Sequence, residues 1–253
     1  MYKNRTIGVV IRAHNESKFI SSVLKSIPVI IDKIYLVNDA STDGTLEIIT
    51  DLSKQDSRIE IINHLVRGGA GNAAISGQKR ALSDNIDLIA IVDGDGQMDT
   101  ERLVNFLDPL ISGEADYTKG NRFSRKIHLN EMPKWRILGN FLLTYLTRIA
   151  SGYWNISDPQ NGFTAISKET LKKLDLDGVE KGFAFENDML VKLNVVRAKV
   201  QDIPHPAIYR GQRSKINYLK FIFNTSWILF KDFFWRIWMK YVINVRPKIL
   251  DNN

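Results

Sequence analysis

Short, almost wholly apolar runs alternate with longer stretches of helical periodicity through the first half of the chain. The runs IGVVI (residues 7–11), KIYLVND (33–39), RIEIINH and DLIAIVD (87–93) have the length and continuous hydrophobicity of strands buried on both faces. Between them, residues 17–27 read as a helix that Pro28 stops, STDGT opens a second with residues suited to capping, and residues 71–82 read as a third. This alternation predicts an α/β fold with a mostly parallel sheet covered by helices on both faces.

The second half is less regular. Residues 133–151 form a long helical pattern with a proline near its first turn, where a missing N–H costs little. GFTAIS and VQDIP read as strands, and residues 185–197 as a helix between them. No linker rich in Gly, Pro or Ser interrupts the chain, so the expectation is one catalytic domain (residues 1–217) and a C-terminal appendage (218–253).

The appendage reads YLKFIFNTSWILFKDFFWRIWMKYVI over residues 218–243, dense in Trp and Phe. Lys220, Lys231, Arg236 and Lys240 interrupt it too often for a membrane span of ~20 apolar residues. Arg210, Arg213, Lys215, Lys220, Lys231, Arg236, Lys240, Arg246 and Lys248 are opposed only by Asp232. Aromatic rings favour the bilayer interface and basic side chains reach anionic headgroups, so one reading is amphipathic helix lying on an anionic membrane surface. The other is a helical pair packed on the core or on another subunit of a homo-oligomer.

Composition narrows the classes further. With 253 residues and 44% hydrophobic content, the chain can bury one sizeable core. It has no cysteine, which removes disulfides, thiolate nucleophiles and cysteine zinc sites, and fits a reducing compartment. The net charge of +7 suits an anionic partner, or simply a soluble basic protein. The first apolar run is too short for a signal peptide. The expected location is cytoplasmic, peripheral at the inner face of the membrane.

The candidate chemistry lies in AIVDGDGQMD (residues 90–99), where an apolar strand runs into three aspartates and a glutamine. Ligands of open parallel sheets gather at the carboxyl ends of strands, where Asp93 and Asp95 would stand with Gly94 between them. Two carboxylates and the neutral oxygen of Gln97 suit Mg²⁺ or Mn²⁺ completing its shell with substrate phosphate. An EF-hand would need Gly and Glu where Met98 and Val104 stand. A plain Asp-Gly turn is the bland alternative. Gly69-Ala-Gly71-Asn-Ala-Ala74 matches a dinucleotide fingerprint with Asp93 about 20 residues on, but the segment LVRG separates it from its strand.

The segments VVIRAHNES, YLVNDASTDGT, GGAGNAAISGQKRAL, IVDGDGQMD, KGNRF, DPQNGFTAIS, FENDML and IPHPAIYRGQRSKINYLKF together resemble family 2 glycosyltransferases in order and spacing. Their nearest branch is similar to dolichyl-phosphate mannose synthases. The resemblance, over roughly residues 7–221, implies a GT-A fold: a nucleotide-binding domain with a mixed, mostly parallel sheet flanked by helices. It implies a UDP- or GDP-linked sugar donor, a polyprenyl phosphate or glycan acceptor, and no nucleic-acid partner. It assigns Asp93, Asp95 and Gln97 to the metal and diphosphate, Asp39 to the base, and Val37 to the same pocket. Arg12, His14 and Glu16 fall in a loop touching the nucleoside, Arg122 lies near sugar and phosphates, and Arg136 and Lys215 approach phosphates. The chain departs from the family where Arg12 replaces a usual Pro, His14 an often-seen Tyr, and Asn38 the first acid of an Asp-Asp pair. Branch members often continue into spanning helices; the expectation is that this chain relies on its aromatic appendage or continues beyond Asn253.

The chemistry so implied is inverting sugar transfer. A phosphate acceptor is already anionic, whereas a sugar hydroxyl needs a base, for which Asp188 is the candidate with Glu186 two residues before it. Residues two apart on a helix do not share a face, so one of them is expected to reach the site. Two other classes compete: a sugar-phosphate nucleotidyltransferase, whose usual glycine- and lysine-rich first loop is replaced here by RAHNES, and a non-enzymatic membrane-associated binding module.

Overall fold

The computed structural model describes residues 1–124, 134–206, 208 and 218–243. Strand–helix units lead the chain: β1 (Ile7–Ala13), α1 (Ile20–Ser26), β2 (Lys33–Asp39), α2 (Thr45–Ser53), β3 (Ile59–His64), α3 (Ala70–Ser83) and β4 (Leu88–Asp93). They are followed by α4 (Leu103–Ile111), β5 (Tyr117–Asn121), α5 (Lys134–Ser151), β6 (Thr164–Ser167) and α6 (Lys168–Leu171). Next come α7 (Phe185–Val195), β7 (Val200–Pro204) and α8 (Tyr218–Ile237), which a π-helical turn, Trp238–Val242, continues.

These strands form one mixed sheet in the order β3-β2-β1-β4-β6-β5-β7. The first four are parallel, β6 runs antiparallel to both β4 and β5, and β7 pairs parallel with β5. From β1 the chain steps outward through β2 and β3, then returns to β4 on the other side of β1. The carboxyl ends of β1 and β4 therefore flank the point where strand order reverses, the usual place for a ligand crevice.

Period-two alternation decides which side chain faces which layer. Ile7, Val9 and Ile11 of β1 and Leu88, Ala90 and Val92 of β4 pack toward α1 and α4, with Ile20, Val23, Phe106 and Leu107. Val10, Ile89 and Ile91 face the opposite layer, built from α3 and α7 with Ala73, Ala74, Met189 and Leu190. Both faces are covered, so these strands read as unbroken apolar runs in the sequence.

The structure adds α4 and β5, which the sequence pattern did not reveal. Every residue of β5 is buried, yet four of the five are Thr118, Lys119, Gly120 and Asn121. The strand is held by polar bonds: Thr118 Oγ1 donates to the Phe106 carbonyl at 2.9 Å and Lys119 Nζ to the Asn161 carbonyl at 2.5 Å. Partnered polar groups let such a strand sit in the interior without a hydrophobic signature.

The C-terminal aromatic segment is one helix and its π turn, docked on α5 and α7. Leu229 packs with Ala150 and Val191, edged by Phe233 and Trp235. Arg236 Nε donates to the Ala150 carbonyl at 2.7 Å, closing the C-terminal turn of α5, and Lys240 Nζ donates to Asn194 Oδ1 at 2.9 Å. The opposite side of the helix leaves Phe223, Trp227, Phe230, Phe234, Trp238 and Tyr241 more than half exposed. No helix among the described residues is long and apolar enough to cross a membrane.

Candidate active site

The register of the sheet sets Arg12, near the end of β1, directly beside Asp93, the last residue of β4. Beyond Asp93 the chain turns tightly back against β1, where Gly94 N–H donates to the Arg12 carbonyl at 2.9 Å. A Cβ on Gly94 would stand 3.0 Å from Ile20 Cδ1 and 3.1 Å from that carbonyl. Gly96 has φ +73°, a left-handed conformation that favours glycine. The glycines thus fold a short loop that turns Asp95 inward, its Oδ1 accepting the Gln97 N–H at 3.0 Å. Burial, and then the neighbouring charge of Asp93, push the Asp95 carboxyl up to about 6.

Arg12 is itself nearly buried and bridges two acids. Its Nε donates to Asp93 Oδ1 at 2.7 Å, Nη2 lies 2.6 Å from the same oxygen, and Nη1 donates to Glu186 Oε1 at 2.8 Å. Burial works against the guanidinium's charge, but Asp93 and Glu186 outweigh it and hold the group above its ordinary value. Gly162 forms the adjoining wall: a Cβ there would lie 2.3 Å from Arg12 Nη2 and 3.0 Å from Asp93 Oδ2.

Behind this corner a polar network carries Arg122. Its Nε and Nη2 grip Asp158 at 2.6 and 2.8 Å. Burial would raise the Asp158 carboxyl, but Arg122 keeps it below the usual range. Lys119, wholly buried, is pushed down to about 8 by that burial. Asn161 donates from Nδ2 to Asp158 Oδ2 at 3.2 Å and meets His205 Nε2 at 2.8 Å. Lys119, Asp158, Asn161, Gly162 and His205 were not among the residues singled out from sequence. All five lie in the segments KGNRF, DPQNGFTAIS and IPHPAIYRGQRSKINYLKF; the segments were visible, but which members face inward was not.

On the far side of β1, Asp39 ends β2. Its carboxylate accepts the N–H groups of Gly68 and Gly69, both at 2.8 Å, and meets His64 Nδ1 at 3.0 Å. Burial raises this carboxyl, yet those bonds together hold it below its ordinary value. His14 Nδ1 lies 2.8 Å from the Asp39 carbonyl, and Glu16 N–H donates to Thr45 Oγ1 at 2.9 Å. Val37 is fully enclosed in the layer under α3. The glycines of the apparent dinucleotide fingerprint have a packing reason: a Cβ on Gly71 would come within 2.4 Å of the Glu180 carbonyl, and Asn72 N–H donates to the Lys181 carbonyl at 3.0 Å. Arg136 belongs to α5, with its side chain outside the described residues, and Lys215 also lies outside them.

The two acids of α7 part company, as their spacing demands. Glu186 reaches the Arg12–Asp93 pair. Asp188 instead accepts the Glu180 N–H at 2.7 Å and lies 3.3 Å from Lys192, with Asp232 of α8 beside it.

The residues present fit a divalent cation. Asp93 Oδ2 has no hydrogen bond among the described residues, and Asp95 is a desolvated acid beside a second carboxylate. No cluster of three or more acidic, His or Cys side chains able to hold a metal occurs among the described residues. Mg²⁺ and Mn²⁺ need no more than one or two carboxylates where substrate phosphates complete the shell.

A mixed α/β sheet with paired carboxylates at its switch point and arginines alongside is the architecture of GT-A glycosyltransferases. The family described as glycosyl transferase family 2 matches residues 8–175, and the chain belongs to it. It is a glycosyltransferase; the nucleotidyltransferase and binding-module alternatives are set aside. The chain is 28% identical over 219 residues to the UDP-N-acetylglucosamine–dolichyl-phosphate N-acetylglucosaminyltransferase of Methanococcus voltae, covering 81% of this chain and 87% of that one. It is 27% identical over 175 residues to the undecaprenyl-phosphate mannosyltransferase of Micrococcus luteus, covering 68% and 70%. In fold it is similar to glucosyl-3-phosphoglycerate synthase from Mycobacterium tuberculosis in complex with Mn²⁺, UDP and phosphoglyceric acid (TM-score 0.67, 21% identity, 92% of this chain and 78% of that one).

Proposed function

We propose that the chain moves a sugar from a UDP- or GDP-linked donor to a polyprenyl phosphate at a membrane surface, with inversion at the anomeric carbon and with Mg²⁺ or Mn²⁺. The observation that carries this reading is the Asp93–Asp95 corner at the sheet's switch point. The activities of the Methanococcus and Micrococcus relatives, both on polyprenyl phosphates, support the acceptor class.

Asp93, Asp95 and Gln97 would hold the cation, which when bound would act as a Lewis acid toward the departing diphosphate. Arg122, oriented by Asp158, supplies a fixed positive charge where phosphate oxygens gather negative charge. His14, Glu16 and Asp39 bound the nucleoside side, and Arg136 and Lys215 serve phosphate groups. An acceptor phosphate oxygen attacks opposite the diphosphate without losing a proton, so neither Glu186 nor Asp188 acts as a base. The exposed rings of α8 rest at the bilayer interface, on the cytoplasmic side, and bring the site to its lipid substrate.

The test is incubation with UDP- and GDP-sugars, Mn²⁺ and a short-chain polyprenyl phosphate. Release of nucleoside diphosphate together with a glycosylated lipid phosphate supports the reading. No turnover with any donor, or release of pyrophosphate instead, overturns it.

A further inference from the structure

Two acids approach one place in this molecule, and both are tied to an arginine. Asp93 Oδ2 and Glu186 Oε1 lie 3.0 and 3.3 Å from a single point, the position a Gly162 Cβ would take. Asp95 lies buried beside Asp93. Removed from Arg12, these carboxylates would face a hard cation with their full negative charge. Arg12 Nη2 lies 2.3 Å from the same point, and its side chain is only 7% exposed. A charge so enclosed is poorly screened by solvent or salt.

We propose that Arg12 is a built-in cation that keeps this corner from retaining a divalent ion alone, so that metal is held only together with a nucleoside diphosphate. Its guanidinium occupies Asp93 Oδ1 and Glu186 Oε1, leaving too little negative charge for a free ion. Diphosphate oxygens restore the deficit when nucleotide arrives. The metal then enters with the donor and leaves with the product. This inference rests on the proposed metal corner, and it deepens that reading by assigning the order in which the ligands are held.

The experiment is an electron paramagnetic resonance titration of Mn²⁺ against the full chain without nucleotide. Wild type is compared with Arg12→Met, Arg12→Lys, Glu186→Gln and the double variant Arg12→Met/Glu186→Gln. Arg12→Met should bind Mn²⁺ at least about tenfold more tightly than wild type, because an enclosed opposing charge has been removed. Arg12→Lys should stay weak because it keeps the charge. Glu186→Gln should show no gain, and the double variant should lose most of the gain. Binding by Arg12→Met no tighter than wild type would overturn the proposal. If Arg12→Met does not fold in metal-free buffer, Mn²⁺ should restore a cooperative unfolding transition; failure to do so counts as refutation. A parallel titration with UDP or GDP separates the two levels. If nucleotide does not tighten Mn²⁺ binding by wild type, the functional reading itself fails. If it does and Arg12→Met shows no gain, only the role of Arg12 fails.

Discussion

Asp95 is a carboxyl group held out of water beside a second carboxylate, which raises its proton affinity to about 6. A carboxyl with a raised folded-state value stabilises the metal-free fold fully below pH 3.8, and that contribution is lost as pH rises through 6. A cation needs the ionised form. The stabilisation given by Mn²⁺ with nucleotide should therefore grow between about pH 5 and pH 7, read as a thermal shift. Asp95→Asn should abolish that growth and lower turnover by about a hundredfold or more. Gly162→Ala should lower turnover similarly, since its methyl would need the space of Arg12 Nη2; unchanged kinetics would show that the wall yields. At this scale the sequence was informative where chemistry interrupts a pattern, as when three aspartates end an apolar strand. It was silent on the Arg12–Glu186 bond, whose partners stand 174 positions apart and meet only through the packing of α7 beside the sheet.

Among elements, α7 works as a divider with Glu186 toward the site and Asp188 toward α8. Asp188 and Asp232 meet between the two helices, and burial followed by the charge of Asp188 pushes Asp232 up to about 7. Lys192, stacked over Trp235 at 3.6 Å, and Lys231 are the cations that offset them. The raised value means that the stabilising contribution is present at low pH and falls away as pH rises through 7. Asp232→Asn, which mimics the protonated acid, should flatten the pH dependence of urea unfolding between about pH 4 and pH 7 and add about 1–2 kcal/mol above that range. Parallel curves for wild type and variant would contradict this. Hydrophobic patterning exposed β1 to β4, but it could not expose β5, whose buried Thr118, Lys119 and Asn121 look like loop residues until their partners are known.

For the whole molecule, the appended aromatic helix resolves into two faces. One binds the core through Leu229 and Arg236, and the other offers Phe223, Trp227, Phe230, Phe234, Trp238 and Tyr241 outward. Composition showed that this segment was basic and aromatic; only docking against α5 and α7 decides which rings remain outside. Trp227→Glu with Phe234→Glu should weaken binding to anionic vesicles by about tenfold or more while nucleotide binding persists. Equal loss of both would mean that the face supports the fold instead. The parallel half of the sheet was legible because its inner strands β1, β2 and β4 are nearly continuous apolar runs. The antiparallel insertion of β6 between β4 and β5 was not, because strand order depends on contacts that no local pattern encodes. The most direct measurement is anomalous scattering from crystals soaked with Mn²⁺ and UDP or GDP. A manganese peak within coordination distance of Asp93 and Asp95, with diphosphate oxygens on its open side, is the expected result. Ordered nucleotide with no such peak, or manganese bound elsewhere, would contradict it.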